Sequence, residues 1–268
     1  MVELSTTMRI IAGPCQHETF EQSLEIALHC KDVCDKYEAE YYFKASFDKA
    51  NRTSLTGKRG LGMPMTLHHF RDLKTEIPGL KILTDVHSVE QVRQLGYQGS
   101  GNLVDVLQIP AFLCRQTDLI VEACRTEKIV NIKKGQFLAP WDVTGILSKT
   151  QGAKEVWITE RGTSFGYNNL VVDFTGVDYM LNNYDCDIVL DVTHSVQKPG
   201  GIGHCSGGAP IHVPGLARCG AALGVTSFFI EVHPMPESAP SDSESMLRLD
   251  DFERVVDEIH RYSYSGEI

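Results

Sequence analysis

The stretch Phe43 to Thr53, FKASFDKANRT, gathers Lys44, Lys49 and Arg52 with Ser46, Asp48, Asn51 and Thr53 directly after the apolar run Tyr41-Tyr42-Phe43. Arginine offers a planar fork of donors and lysine a mobile point charge, so this concentration of cations and hydroxyls suits phosphate or carboxylate. Further along, Lys133 and Arg161 add two more cations, and Asp85, His87 and Gln108 add polar groups that follow apolar runs. A second set suits a different ligand. Cys15, His194, Glu231 and Asp242 supply thiolate, imidazole and carboxylate, donor types that hold a divalent transition metal. No local motif joins these four, so only the fold can bring them together. The plainer alternatives are a solvated turn around Lys49 and a structural cysteine at position 15.

The elements that must position these residues alternate regularly. Strands are predicted at Met8 to Ala12, Glu40 to Lys44, Lys81 to Thr84, Leu103 to Gln108, Ile129 to Lys133, Glu155 to Thr159, Asp187 to Asp191 and Ser227 to Glu231. Helical spacing of apolar residues predicts helices at Glu21 to Tyr37, Leu67 to Glu76, Val89 to Leu95, Asp118 to Glu127, near Trp141 to Lys149, near Val177 to Asn182, Pro214 to Leu223 and Leu249 to Tyr262. Eight strand–helix units make a single-domain (β/α)8 barrel, with a short N-terminal extension over about residues 1–7. An open doubly wound sheet is the competitor, but no Gly-rich fingerprint supports it. Barrels of this kind place their sites at the C-terminal strand ends. Cys15, Lys44, Asp85 with His87, Gln108, Lys133, Glu160 with Arg161, Asp191 with His194, and Glu231 with His233 follow the strands one after another.

Composition narrows the class of function. The chain has 268 residues, and a barrel of this type needs roughly 250. Its 25 Lys and Arg against 35 Asp and Glu give a formal charge of −10, which argues against nucleic-acid binding through a general basic field. No apolar run approaches the roughly 20 residues that span a bilayer, and the N-terminal residues do not read as a signal peptide. The eight cysteines are scattered without a CxxC, and Cys30 and Cys34 read as neighbours on a helix face. A reduced, cytoplasmic enzyme for small anionic substrates, with no membrane partner, is the expectation.

A set of longer blocks carries a resemblance. IAGPC (Ile11 to Cys15), FKASFDKANRT, LTDVH (Leu83 to His87), DVLQIPAFLCRQTDL (Asp105 to Leu119), NIKKGQF (Asn131 to Phe137), TERGTSFGYNNLVVD (Thr159 to Asp173), DVTHSVQ (Asp191 to Gln197) and FFIEVHP (Phe228 to Pro234) resemble the 3-deoxy-D-manno-octulosonate-8-phosphate synthases. The likeness spans about residues 9–245. It implies a transferase that condenses phosphoenolpyruvate with arabinose 5-phosphate and releases phosphate, in lipopolysaccharide core biosynthesis.

Carried onto this chain, the resemblance implies that Lys44, Ser46, Lys49, Gln108, Lys133 and Arg161 hold phosphoenolpyruvate. Asn51, Arg52 and Thr53 would meet the sugar phosphate, with Asp85 and His87 near the sugar chain. Arg115 would reach in from a neighbouring subunit of a homo-oligomer, a homotetramer. Lys44, Lys49, Asn51, Lys133 and His194 would carry the chemistry. Family members divide by metal dependence. The cysteine at position 15, where metal-independent members have asparagine, places this chain on the metal-dependent side. Cys15, His194, Glu231 and Asp242 would then ligate iron, zinc, manganese or cobalt. The chain departs from the family at Ser88, where glutamate is usual, at Lys198, and in the loop Gly203 to Pro210, which lacks the expected arginines. The closest rival, 3-deoxy-D-arabino-heptulosonate-7-phosphate synthase, takes erythrose 4-phosphate and shows KPRTS where this chain has KANRT. A sialic-acid-type synthase needs no second phosphate site. A catalytically silent barrel that binds sugar phosphates is the reading from outside the enzymes.

Overall fold

Eight parallel strands close on themselves in a computed structural model of the chain, which describes residues 7–50, 59–97, 102–201 and 206–263. The strands are β1 (Arg9–Gly13), β2 (Glu40–Lys44), β3 (Lys81–Asp85), β4 (Val106–Ile109), β5 (Ile129–Lys133), β6 (Glu155–Glu160), β7 (Asp187–Asp191) and β8 (Ser227–His233). Each pairs with the next in sequence. β8 returns to β1 in parallel register, Ile11 opposite Phe229, and this pairing makes the sheet a barrel. The helices α1 (Phe20–Lys36), α2 (Met63–Glu76), α3 (Val89–Gly96), α4 (Thr117–Cys124), α5 (Val143–Leu147), α6 (Phe174–Asn183) and α7 (Val213–Leu223) fill the seven crossovers, and α8 (Phe252–Ser263) follows β8. The (β/α)8 expectation holds, and the open sheet is excluded by the β1–β8 pairing.

Strand alternation divides the apolar residues between two cores. Ile10, Phe43, Ile82, Leu107, Val130, Ile158, Ile188 and Phe228 belong to the large core shared with the helices. Ile11, Tyr42, Leu83, Val106, Ile129, Trp157, Val189 and Phe229, one from each strand, form a separate cluster inside the barrel. Two residues before this layer in most strands, the barrel is closed by charge. Arg9 Nε donates to Glu40 Oε2 at 3.0 Å, and the guanidinium also pairs with Asp187. It lies 3.8 Å from Glu155 Oε2 and 4.3 Å over the Trp157 ring. Lys81 pairs with Glu40, and Trp157 Nε1 donates to Glu155 Oε2 at 3.1 Å.

Element ends differ from the sequence expectation for local reasons. β4 begins at Val106 and not Leu103, because residues 102–103 form a turn and Asp105 turns its carboxylate onto the Ile82 N–H (2.7 Å) and Lys74 Nζ (2.8 Å). α2 begins at Met63, with Pro64 in its first turn where a missing N–H costs nothing. α5 is shortened, a 3-10 turn at Pro140–Asp142 taking up its start. Ser88, the residue that departs from the family pattern, is the N-cap of α3 and accepts the Gln91 N–H at 3.3 Å.

Candidate active site

Two residues beyond the apolar layer, the inward positions become Gly13, Lys44, Asp85, Gln108, Asn131, Thr159, Asp191 and Glu231, and the chain continues to Lys133 and Arg161. Gly13 is required here: a Cβ on it would lie 2.1 Å from the Lys44 carbonyl oxygen. This close approach of β1 and β2 lets Lys44 Nζ donate to the Cys15 carbonyl (2.8 Å) and to Glu231 Oε1 (2.8 Å). Both Lys44 and Glu231 are almost wholly buried. Burial alone would raise the Glu231 carboxyl, but Lys44, His194, Lys49 and Lys133 together hold it far below the usual carboxylate range.

Asp191 organises the opposite wall, a role the expected site residues did not include. Its Oδ2 accepts from Lys133 Nζ at 2.6 Å and lies 2.7 Å from His194 Nδ1. Its Oδ1 accepts the backbone N–H of Thr193 (3.1 Å) and His194 (2.8 Å). The carboxylate therefore fixes both a cation and an imidazole, leaving His194 Nε2 facing Glu231 and Asp242. Lys133 Nζ lies 3.7 Å from the centroid of Phe229, a member of the apolar layer. Burial lowers the Lys133 pKa, and Asp191 and Glu231 work against that shift. The sequence places Asp191 with His194 in the strand-end series, but not the two-sided hold of its carboxylate on Lys133 and His194.

Cys15, Glu231 and Asp242 each offer a ligand atom, all within 4.8 Å of one another. Cys15 Sγ donates to Asp242 Oδ2 at 2.9 Å, while Glu231 Oε2 is buried without a hydrogen-bond partner. Burial, followed by Asp242 and Glu231, pushes the thiol well above its ordinary value. An orphaned carboxylate oxygen beside a thiol pressed against a second carboxylate fits a divalent cation, which would take the proton's place and satisfy all three donors. His194 stands at the edge of this group, its Nε2 3.6 Å from Glu231 Oε2 and 3.9 Å from Asp242 Oδ2. Asp242 itself adopts φ 54°, a left-handed backbone that aspartate tolerates better than most residues.

The cationic and thiol–carboxylate halves are linked. Arg161 Nη2 donates to Gln197 Oε1 (2.8 Å), and Gln197 Nε2 donates to Asp242 Oδ1 (2.8 Å). Asn131 Nδ2 donates to Gln108 Oε1 at 3.2 Å, and Thr159 Oγ1 donates to Asn131 Oδ1 at 2.5 Å, so Gln108 is oriented by its neighbours in the same layer. Ser46 Oγ and Asp85 Oδ1 are buried and unpartnered. Asp85 Oδ2 lies 3.1 Å from His87 Nε2. Burial works against the Lys49 ammonium, yet Cys15, Glu231, Asp85 and Asp242 outweigh it and raise its pKa well above the ordinary value. Asn51, Arg52 and Thr53 lie outside the described residues, as does the 203–205 part of the loop flagged in the sequence; the Lys49 N–H donates to the Arg59 carbonyl at 2.8 Å across the 51–58 segment. Arg115 is exposed on the connection after β4, apart from this ring.

A sequence model of the DAHP synthetase I family matches residues 5–263. A protein from Nitrobacter winogradskyi is 47% identical over 251 residues, covering 93% of this chain and 85% of its own length. One from Bradyrhizobium diazoefficiens is 47% identical over 249 residues (92% of this chain, 86% of its own). One from Bartonella quintana is 44% identical over 261 residues (97% and 91%). All three carry the name 2-dehydro-3-deoxyphosphooctonate aldolase. The chain belongs to this aldolase family. The family model's description matches the rival reading of the sequence, whereas the aldolase relatives match the eight-carbon one, at close to half identity over nearly the whole chain.

Proposed function

We propose that this chain condenses phosphoenolpyruvate with D-arabinose 5-phosphate and water, giving 3-deoxy-D-manno-octulosonate 8-phosphate and inorganic phosphate for lipopolysaccharide core biosynthesis. The observation that carries the reading is the buried ring of Lys44, Lys133 and Arg161 at the barrel mouth, next to the Cys15–Glu231–Asp242 group. A dianionic phosphate and a carboxylate on one small substrate need such a concentration of cations. Lys44, Lys49, Lys133 and Arg161, with Ser46 and Gln108, bind phosphoenolpyruvate. Asn51, Arg52 and Thr53 take the sugar phosphate, with Asp85 and His87 along the sugar chain.

C3 of phosphoenolpyruvate attacks the aldehyde carbon, forming the new C–C bond, while positive character develops at C2. Water adds to C2, and the C2–O bond then breaks with its electron pair leaving on phosphate. Fixing both anions in register makes the encounter effectively intramolecular. Lys133 and Arg161 are held by Asp191 and Gln197 before substrate arrives, so they stabilise the departing phosphate without reorganising. Cys15, Glu231, Asp242 and His194 would hold a divalent metal (iron, zinc, manganese or cobalt), supplying Lewis-acid polarisation of the aldehyde oxygen or orientation of the water. A homotetramer places Arg115 in a neighbour's site; the exposure of Arg115, Phe112, Phe137 and Trp141 supports this. No helix among the described residues is long and apolar enough to cross a membrane, and we assign the enzyme to the cytoplasm.

The test is phosphate release from phosphoenolpyruvate with arabinose 5-phosphate or with erythrose 4-phosphate, each with and without a strong chelator. Release with arabinose 5-phosphate alone, lost in chelator, restored by divalent metal and abolished in Cys15→Ala, is the expected outcome. Chelator-resistant release would overturn the metal assignment, and release with erythrose 4-phosphate alone would overturn the substrate.

A further inference from the structure

Behind the inward ring lies a buried ion pair that none of these roles uses. Lys133 and Thr159 face each other across β5 and β6, and the next residues are Lys134 and Glu160. Alternation along a strand turns this second pair away from the barrel interior. The Lys134 N–H donates to the Thr159 carbonyl at 2.8 Å, so the ladder continues past the strand end. Lys134 is 1% exposed and Glu160 4%.

Lys134 Nζ lies 3.2 Å from Glu160 Oε2, donates to the Leu138 carbonyl at 3.0 Å and reaches Thr163 Oγ1 at 3.4 Å. Glu160 Oε1 accepts the Gly162 N–H at 2.6 Å. Gly162 has φ +89°, a left-handed turn that favours glycine, placed immediately after Arg161. Three segments therefore meet at one buried ammonium: the loop after Lys133, the turn after Arg161, and the hairpin that begins at Thr163. A buried ion pair is weak evidence for stability, since a well-packed apolar pair commonly does as well. Fixed geometry is what the charged pair adds.

We propose that Lys134 and Glu160 are positioning residues that set the Lys133 ammonium and the Arg161 guanidinium at the separation required by the two anionic groups of phosphoenolpyruvate. This rests on the binding roles given above to Lys133 and Arg161. A misplacement of about 1 Å at such a clamp costs on the order of 100-fold in rate.

The experiment compares Lys134→Met, Glu160→Gln and the double variant with the wild type, as full chains with metal supplied, by steady-state phosphate release and thermal unfolding. Lys134→Met is expected to raise the KM for phosphoenolpyruvate by roughly tenfold or more while changing the KM for arabinose 5-phosphate by less than about twofold. The double variant carries no uncompensated buried charge. It should recover melting temperature relative to Lys134→Met without recovering the phosphoenolpyruvate KM. Should Lys134→Met fail to fold, the double variant carries the comparison. A wild-type phosphoenolpyruvate KM in the double variant, or equal rises for both substrates, would reduce the pair to packing and overturn the proposal. Were the wild type to release no phosphate with any aldose phosphate, the functional reading would fall separately. The pair would then be judged by calorimetric affinity for inorganic phosphate, which the double variant weakens if the proposal holds and leaves unchanged if it does not.

Discussion

Charge sits at both ends of this barrel, at inward strand positions of the same parity, but only the C-terminal end buries most of it. At the N-terminal end, Arg9 and Lys81 meet Glu40, Glu155 and Asp187. At the C-terminal end, Lys44, Lys133 and Arg161 meet Asp85, Asp191, Glu231 and Asp242. The difference is in what is left over. At the N-terminal end only Arg9 is buried, Glu40, Lys81 and Asp187 are half-buried and Glu155 is exposed, so water reaches these charges, whereas Ser46 Oγ, Asp85 Oδ1 and Glu231 Oε2 are buried without a partner. One end is a plug of paired charges that is partly open to water. The other holds unsatisfied groups in wait for something else, and that, more than buried charge as such, marks a site.

The contrast can be broken by crossing the two ends. Lys133→Met should lower kcat/KM by about 1000-fold, roughly 4 kcal/mol, because it removes a preorganised cation from the reacting anion. It should cost comparatively little stability, since Asp191 keeps His194 Nδ1 and two backbone N–H groups. Arg9→Met should do the reverse: a loss of about 1–3 kcal/mol in denaturant unfolding, because Asp187 loses its guanidinium partner and Glu40 keeps only Lys81, with both KM values unchanged in the folded fraction. A large KM change in Arg9→Met would mean the apolar layer does not separate the two ends.

A pH series sharpens the comparison. Burial alone would raise Glu40, but its hydrogen bonds from Lys81 and Arg9 dominate and lower its pKa from the ordinary 4.5. A carboxylate depressed by folding contributes stability above its unfolded pKa and loses that contribution as pH falls through the folded value. Wild type should therefore lose more stability below pH 4.5 than Glu40→Gln does, read as denaturation midpoints at each pH. Parallel curves would show that the plug is neutral to titration. The smallest effect is expected at Ser88→Ala, where removal of an N-cap costs about 1 kcal/mol and leaves both ends intact.

Much of this arrangement was legible in the sequence because strand alternation is strict. Once LTD, DIVLD and SFFIE are read as strands, Asp85, Asp191 and Glu231 fall at their ends without further information. Cys15, Glu231 and Asp242 lie together, although Asp242 follows β8 by a long irregular path that no period describes. The organising role of Asp191 was not legible, since a carboxylate that binds substrate and one that orients a lysine read alike. Lys134 was hidden for a related reason: in NIKKGQF two adjacent lysines look equivalent, and only the sheet assigns them to opposite faces. Ser88 read as a departure from a catalytic pattern, whereas its side chain serves the first turn of α3.

The apolar layer of eight side chains has a consequence for depth. Among the described residues it floors the site with eight buried side chains, one from each strand. The Lys133 ammonium rests directly on that floor, against Phe229. A group that reached Lys133 would therefore sit at the bottom of the site, against the apolar floor. Depth in the site is thereby set by the sheet itself, one layer of side chains at a time.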